Sequence, residues 1–192
     1  MIVDISHVGE QTFWDAINTS TKPLIASHSC VYNLCPHRRN LKDDQIKAIA
    51  KNGGVIHLNF YPGFLDSTYI HKADLFLAQH KAEMEALIKS GVQQDYTFSI
   101  VIQKYPQEIN PIRPPISILL NHLDYIVKLI GVDYVGIGSD FDGIDVPPTG
   151  IEGMQDFPKI TKALIERGYN KKDIKKILGE NFIRVFKANT VK

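Results

Sequence analysis

Ile2-Val3-Asp4-Ile5-Ser6-His7 and Leu24-Ile25-Ala26-Ser27-His28 decide the fold: two short apolar runs, each closing on a histidine, with a helical stretch between them. Phe13, Trp14 and Ile17 in that stretch fall on one helical face. Strand, helix and strand in this order make a βαβ unit, which sets the two strands parallel and brings both histidines to one rim. The rhythm continues outward. A helix is expected over 42–52, with Asp43 and Asp44 in its dipole-favoured first turn and Gly53-Gly54 as its stop. A third strand over 54–61 is broken by Pro62-Gly63. A helical insert of about 66–115 follows, holding one helix near 73–90 and a closing loop with Pro106, Pro111, Pro114 and Pro115. Ser117 is placed to cap a helix carrying Leu119, Leu123, Ile126 and Ile130, which stops at Gly131. The fourth strand is 134–138, and C-terminal helices fill about 156–189, one of them capped by Asn170.

Four βα units in one domain over 1–192 make an α/β protein with parallel strands. Four is few for a closed barrel, which typically takes about 250 residues. Either a small open sheet or half of a barrel is expected. Composition fits a globular chain: 44% hydrophobic, with 22 basic and 21 acidic side chains giving a formal charge of +1. That balance leaves no reservoir of cations for nucleic acid, and Lys171, Lys172, Lys175 and Lys176 read as the solvated side of a helix. No apolar run reaches the roughly 20 residues that span a bilayer. Cys30 and Cys35 make no disulfide framework, and no charged, then apolar, leader opens the sequence, so a reducing, cytoplasmic setting is expected.

The polar residues at strand ends carry the candidate chemistry. A single histidine there can be a hydrogen-bonded structural residue, but His7 and His28 in consecutive units are close enough to share a metal ion. Asp140 follows the fourth strand and reads either as a turn carboxylate or as an acid or base on the same rim. Arg38 and Arg39, in the loop after the second strand, are solvated charges or a fork for a substrate carboxylate. His57, His71, His80 and His122 are assigned no chemistry, and the two cysteines are too few for a zinc knuckle. Gly136-Ile137-Gly138 lacks the third glycine and the helix start of a dinucleotide site.

Six blocks now come together: Asp4-Ile5-Ser6-His7-Val8, Ala26-Ser27-His28-Ser29, Arg38-Arg39-Asn40-Leu41, Asn52-Gly53-Gly54-Val55, Asn59-Phe60-Tyr61-Pro62-Gly63-Phe64-Leu65 and Gly136-Ile137-Gly138-Ser139-Asp140-Phe141-Asp142-Gly143. In this order they closely resemble the membrane (renal) dipeptidase family of zinc hydrolases, bacterial branch, and the likeness runs on through Gly179-Glu180-Asn181-Phe182 and Arg184-Val185-Phe186. The resemblance implies the second half of a TIM-type (β/α)8 metallo-hydrolase barrel, with two metals on the C-terminal rim and a metal-bound hydroxide as nucleophile. It implies His7 and His28 as ligands of the second zinc, Arg39 as the anchor of the dipeptide's carboxylate, and Asp140 as a substrate contact that assists proton transfer to the leaving amine. The family's His-x-Asp pair, bridging Glu and a further substrate-contacting His lie upstream of the matched region. The implied reading is therefore a zinc-dependent dipeptidase holding at most one partial metal site, which self-associates or pairs with a complementary N-terminal half. The alternative is a non-catalytic half-barrel remnant.

Overall fold

The computed structural model describes residues 1–190. In chain order the elements are α1 (Glu10–Thr19), β1 (Ile25–Ala26), α2 (Asp43–Asn52), β2 (Val55–Asn59), α3 (Pro62–Leu65), α4 (Tyr69–Gln79), α5 (Lys81–Lys89), α6 (Gln94–Lys104), α7 (Pro106–Ile109), α8 (Ile116–Ile130), β3 (Val135–Ser139), α9 (Phe157–Glu166), α10 (Lys171–Lys175) and α11 (Asn181–Thr190). The strands form a parallel sheet in the order β1-β2-β3. Ile25 faces Val55, and Ile56, His57 and Leu58 face Val135, Gly136 and Ile137. A bulge between Leu58 and Asn59 then sets Asn59 opposite Ser139 and re-aims the strand ends.

The segment expected as a strand over 2–6 is reduced to a single parallel bridge, Asp4 to Ile25, with the Ile5 N–H donating to Ile25 O at 2.8 Å and the Ile25 N–H to Val3 O at 3.0 Å. It lies on the outer edge, where only one side of the backbone finds a partner, so three strands and a bridge replace the expected four. β1 is shorter than 24–28 for a related reason: beyond Ala26 the Ser27 and His28 N–H groups donate to the Asp4 and Ser6 side chains instead of extending the ladder.

Alternate residues of β2 point to opposite faces. Ile56 and Leu58 join a core with Leu24, Ile46, Ile49, Leu119, Leu123, Ile126 and Val135, all of them fully buried. Each such aliphatic side chain contributes about 1.5–3 kcal/mol by leaving water. On the other face His57 lies over Gly136, where an added Cβ would come within 2.5 Å of its ring. The G-x-G of β3 is thus room for a histidine.

The insert carries its own smaller core of Tyr69, Ala73, Phe76, Val101, Ile102, Ile109 and Val146. The single helix expected near 73–90 is two, because the chain turns at His80, whose Nε2 meets Glu108 Oε2 at 2.9 Å and whose ring lies 4.0 Å from that of Tyr105. Ser117 does not cap α8; Pro115 occupies that position, tied to Thr149 by a parallel bridge. Asn170 caps α10 as expected, its side chain accepting from the Lys172 and Asp173 N–H groups at 2.9 and 3.0 Å. Lys171, Lys172 and Lys175 are exposed, while Lys176 pairs with Asp133. From α11, Arg184 donates to the carbonyls of Gly53, Gly54 and Asp133, which fastens the helix to the N-terminal ends of β2 and β3 and leaves their C-terminal ends open.

Candidate functional site

The C-terminal ends of the parallel strands collect the polar residues, as the crevice rule for parallel α/β sheets requires. Among the described residues, those other than glycine with positive φ are His7 (70°), Ser139 (50°) and Asp140 (75°). All of them sit on this rim, so backbone strain is concentrated where candidate chemistry lies.

His7 and His28 meet there. Their Nε2 atoms are 2.7 Å apart and their rings 4.8 Å, with His7 exposed and His28 half-buried. Behind His28 stands a short chain of polar groups: its Nδ1 lies 2.7 Å from Ser27 Oγ, and Ser27 Oγ donates to Asp4 Oδ2 at 2.5 Å. Asp4 Oδ1 also accepts from the Ser6 N–H at 3.0 Å and the Ser27 N–H at 3.1 Å, while Ser6 Oγ accepts from the His28 N–H at 3.0 Å. Burial opposes the charge on Asp4, but the hydrogen bonds from Ser27 and Ser6 outweigh it and hold the carboxyl below its usual range. Burial likewise pushes the His28 imidazole down, with Arg39 and His7 adding to the effect and the Asp140 charge working against it.

Asp140 is fixed by Asn59. The fully buried Asn59 donates through Nδ2 to Asp140 Oδ2 at 2.9 Å, and its Oδ1 accepts from the Tyr61 N–H at 2.6 Å. On the loop between β1 and α2, Asn40 Nδ2 donates to Cys35 O at 2.9 Å and Phe64 O at 2.8 Å, which stiffens the turn that presents Arg39. The Arg39 guanidinium lies 5.5 Å from the centre of the Phe64 ring, and its buried Nη2 has no partner. Burial lowers its pKa, and the Asp140 and Asp4 charges pull it back. A cavity of about 540 Å³ opens between His7, Arg38, Arg39, Tyr32 and the Glu10–Lys42 ion pair. The structure therefore brings His7, His28, Arg39 and Asp140 into one neighbourhood and leaves Arg38 exposed at its edge.

The residues set aside on sequence grounds are placed elsewhere. His122 is buried in α8, accepting from the Val31 N–H at 3.1 Å and facing Leu65 O at 3.0 Å. His57 is on the sheet face. Cys30 and Cys35 are free and buried, and burial pushes both thiols up, away from nucleophilic use. Sequence reasoning missed Asn59, Asp4 and Ser27. The visible signal was polar residues alternating with apolar ones inside strand-like runs, as in Asp4-Ile5-Ser6 and Leu58-Asn59-Phe60.

Two imidazoles meeting at one point, one of them braced by a hydroxyl and a carboxylate, are donors of a kind that could form part of a metal site. Among the described residues no group of three or more His, Cys, Asp or Glu is placed to complete it. The membrane dipeptidase family (peptidase family M19) matches the chain over residues 1–192. A Klebsiella pneumoniae protein named from the pqqA 5' region is 32% identical over 187 residues, which is 97% of this chain and 54% of that one. An uncharacterized dipeptidase of Schizosaccharomyces pombe is 31% identical over 188 residues, covering 97% of this chain and 35% of its own. A Rhodobacter sphaeroides metallo peptidase, solved with a phosphinate mimic of the dipeptide L-Ala-D-Ala, superposes with a TM-score of 0.70 at 26% identity over 96% of this chain and 41% of that one. The chain thus spans between about a third and a half of the length of these relatives.

Proposed function

The chain belongs to the membrane dipeptidase family, peptidase family M19, and from that premise we propose that it carries part of the active site of a zinc-dependent dipeptidase. The observation that carries this is the meeting of His7 Nε2 and His28 Nε2 at 2.7 Å on the rim that also holds Arg39 and Asp140. His7 and His28 would hold the metal, and imidazole donors suit zinc. When bound, zinc supplies Lewis-acid chemistry, activating water and polarising the scissile carbonyl. Arg39 binds the terminal carboxylate of the dipeptide; its buried, unpartnered Nη2 is a donor waiting for an anion. Asp140 contacts the substrate and moves a proton to the leaving amine. Asn59 holds its Oδ2, which leaves Oδ1 for that exchange.

The architecture we propose is the second half of a (β/α)8 barrel, with the bridge at Asp4 standing where its first strand runs. The remaining ligands then lie outside residues 1–192, and we propose a complementary N-terminal half or a second copy as their source. Two observations support this: relatives about two to three times longer, and a donor set that stops at two imidazoles among the described residues. The second of these also favours the alternative, a non-catalytic half-barrel that oligomerises. A reducing, cytoplasmic setting belongs to the same proposal, supported by two buried, free thiols.

The deciding experiment is metal analysis together with dipeptide hydrolysis, on the chain as purified with whatever copies or partner it carries. L-Ala-D-Ala is the first substrate to try, given the structural relative bound to its mimic. Bound zinc and chelator-sensitive hydrolysis are expected. A chain that takes up no metal and cleaves no dipeptide in any assembled state is the remnant instead.

A further inference from the structure

Ser27 Oγ has one hydrogen, and at 2.5 Å from Asp4 Oδ2 it is committed to the carboxylate, because an ionised carboxylate only accepts. The 2.7 Å contact between Ser27 Oγ and His28 Nδ1 then has a single consistent polarity: His28 Nδ1–H donates and Ser27 Oγ accepts. We propose that Asp4 and Ser27 are positioning residues that lock His28 in its Nδ1–H tautomer, so that the Nε2 lone pair faces His7 and is available to a metal ion. This deepens the dipeptidase reading and rests on it for the identity of His28 as a ligand.

The arrangement is held from several sides. The Asp4 carboxylate is anchored by the Ser6 and Ser27 N–H groups as well as by the Ser27 hydroxyl, so it cannot swing away without freeing two backbone donors. The His28 N–H is itself bound by Ser6 Oγ, which fixes the backbone from which the imidazole extends. Free imidazole exchanges between its two tautomers. Holding the second ring nitrogen by an outer partner sets which nitrogen is the ligand and removes that freedom before a metal arrives. A hydroxyl between carboxylate and imidazole differs from the direct carboxylate–histidine contact in one respect that can be tested: it needs both the hydroxyl of residue 27 and the acceptor at residue 4.

The test reads the tautomer directly, without activity. The chain is labelled with 15N-histidine and its ring nitrogens are followed by long-range proton–nitrogen correlation above pH 7.5, with His28 assigned by its disappearance in His28→Gln. Wild type should show a protonated Nδ1 and an unprotonated Nε2. Ser27→Ala should move both signals to exchange-averaged values, and Ser27→Thr, which keeps the hydroxyl, should restore them; Asp4→Asn is read the same way. Titration with zinc alone should show affinity roughly 10–100-fold weaker in Ser27→Ala and near wild type in Ser27→Thr. A wild-type His28 protonated on Nε2 overturns the proposal, and so does a folded Ser27→Ala chain whose ring signals do not change. If the tautomer behaves as stated but neither wild type nor any variant binds zinc in any assembled state, the lock stands and the dipeptidase reading fails.

Discussion

Arg39 and Asp140 share one rim but, in the proposed site, act on different parts of a substrate, so their removal should separate in the kinetics of the competent assembly. Arg39→Ala takes away the anchor for the terminal carboxylate and should mainly raise KM, with a smaller fall in kcat if anchoring also aligns the peptide. Asp140→Asn keeps the shape and the contact to Asn59 while ending proton transfer, and should lower kcat by about 10²–10⁴-fold. Equal effects on kcat and KM in the two variants would contradict these roles. Asn59 makes a sharper case, because it touches Asp140 from a fully buried position and has no path to a substrate. Losing a hydrogen bond to a charged group costs about 1.5–3 kcal/mol, so Asn59→Leu should lower kcat by roughly 10–100-fold and leave KM near wild type, as steady-state kinetics on a folded variant would show. His7, His28 and Asp140 could be picked out as candidates because each closes or follows a strand-like run, whereas Arg39, in a polar loop, was singled out for a role only by the resemblance. Asn59 was not legible, because one polar residue within a buried strand looks like an exception until its partner 81 positions on is known.

His122 and the glycines of β3 show how far the elements themselves could be read. The helical spacing around His122 was clear, and the structure adds that its ring joins α8 to Val31 and Leu65. His122→Ala should leave a buried N–H and a buried carbonyl without partners and lower stability by about 2–4 kcal/mol in urea unfolding. Burial holds the His122 pKa below its usual value, against the contrary pull of the Leu65 carbonyl. The unfolded chain therefore takes up the proton first, at about pH 6.5. The stability linked to neutral His122 is complete above that pH and is lost as the pH falls from there towards the folded value. His57, also pushed down by burial, adds to the same trend. Unfolding free energies at pH 7.5 and 5.5 should thus drop in wild type and drop less in His122→Gln, which starts lower; equal drops would remove His122 from the account. Gly136 and Gly138 separate by what they face. A Cβ on Gly138 would stand 2.2 Å from Ser27 O and 3.1 Å from Leu58 O, both backbone atoms, and 2.9 Å from the His57 Cβ that alanine would keep, whereas the nearest atoms to one on Gly136 all belong to the His57 ring. Gly138→Ala should therefore destabilise more, and only Gly136→Ala should be relieved by His57→Ala in a double-mutant cycle. The break at His80 and the shrinking of the first strand to one bridge were not legible, since both depend on partners distant in sequence: Glu108 and Tyr105 for one, Ile25 for the other.

The alternation of strand and helix foretold a parallel sheet with its polar rim at one end. What it could not foretell is which faces the folded chain leaves uncovered. Along α11, Phe182 packs on His57 at 5.6 Å and on Phe186 at 6.2 Å, yet both phenylalanines remain exposed, at 38% and 49%, beside Ile183 at 48% and Leu178 at 43%. Aromatic side chains gathered in this way on a surface mark an association site more often than a solvated one. The same sheet keeps unpaired backbone groups along β3, its outermost strand, and along the segment at Asp4. Light scattering should accordingly find the chain larger than a monomer at high concentration or bound to a partner, and Phe182→Ser with Phe186→Ser should shift the distribution towards monomer. Metal content ties this to the site. On the proposed reading, in which His7 and His28 are two of the ligands and the others are supplied across an interface, zinc should be retained by the assembled fraction and lost from the monomeric one. A stable monomer that neither associates nor needs a partner to hold zinc would mean that a full ligand set forms within this chain, and the proposed half-site would have to be abandoned.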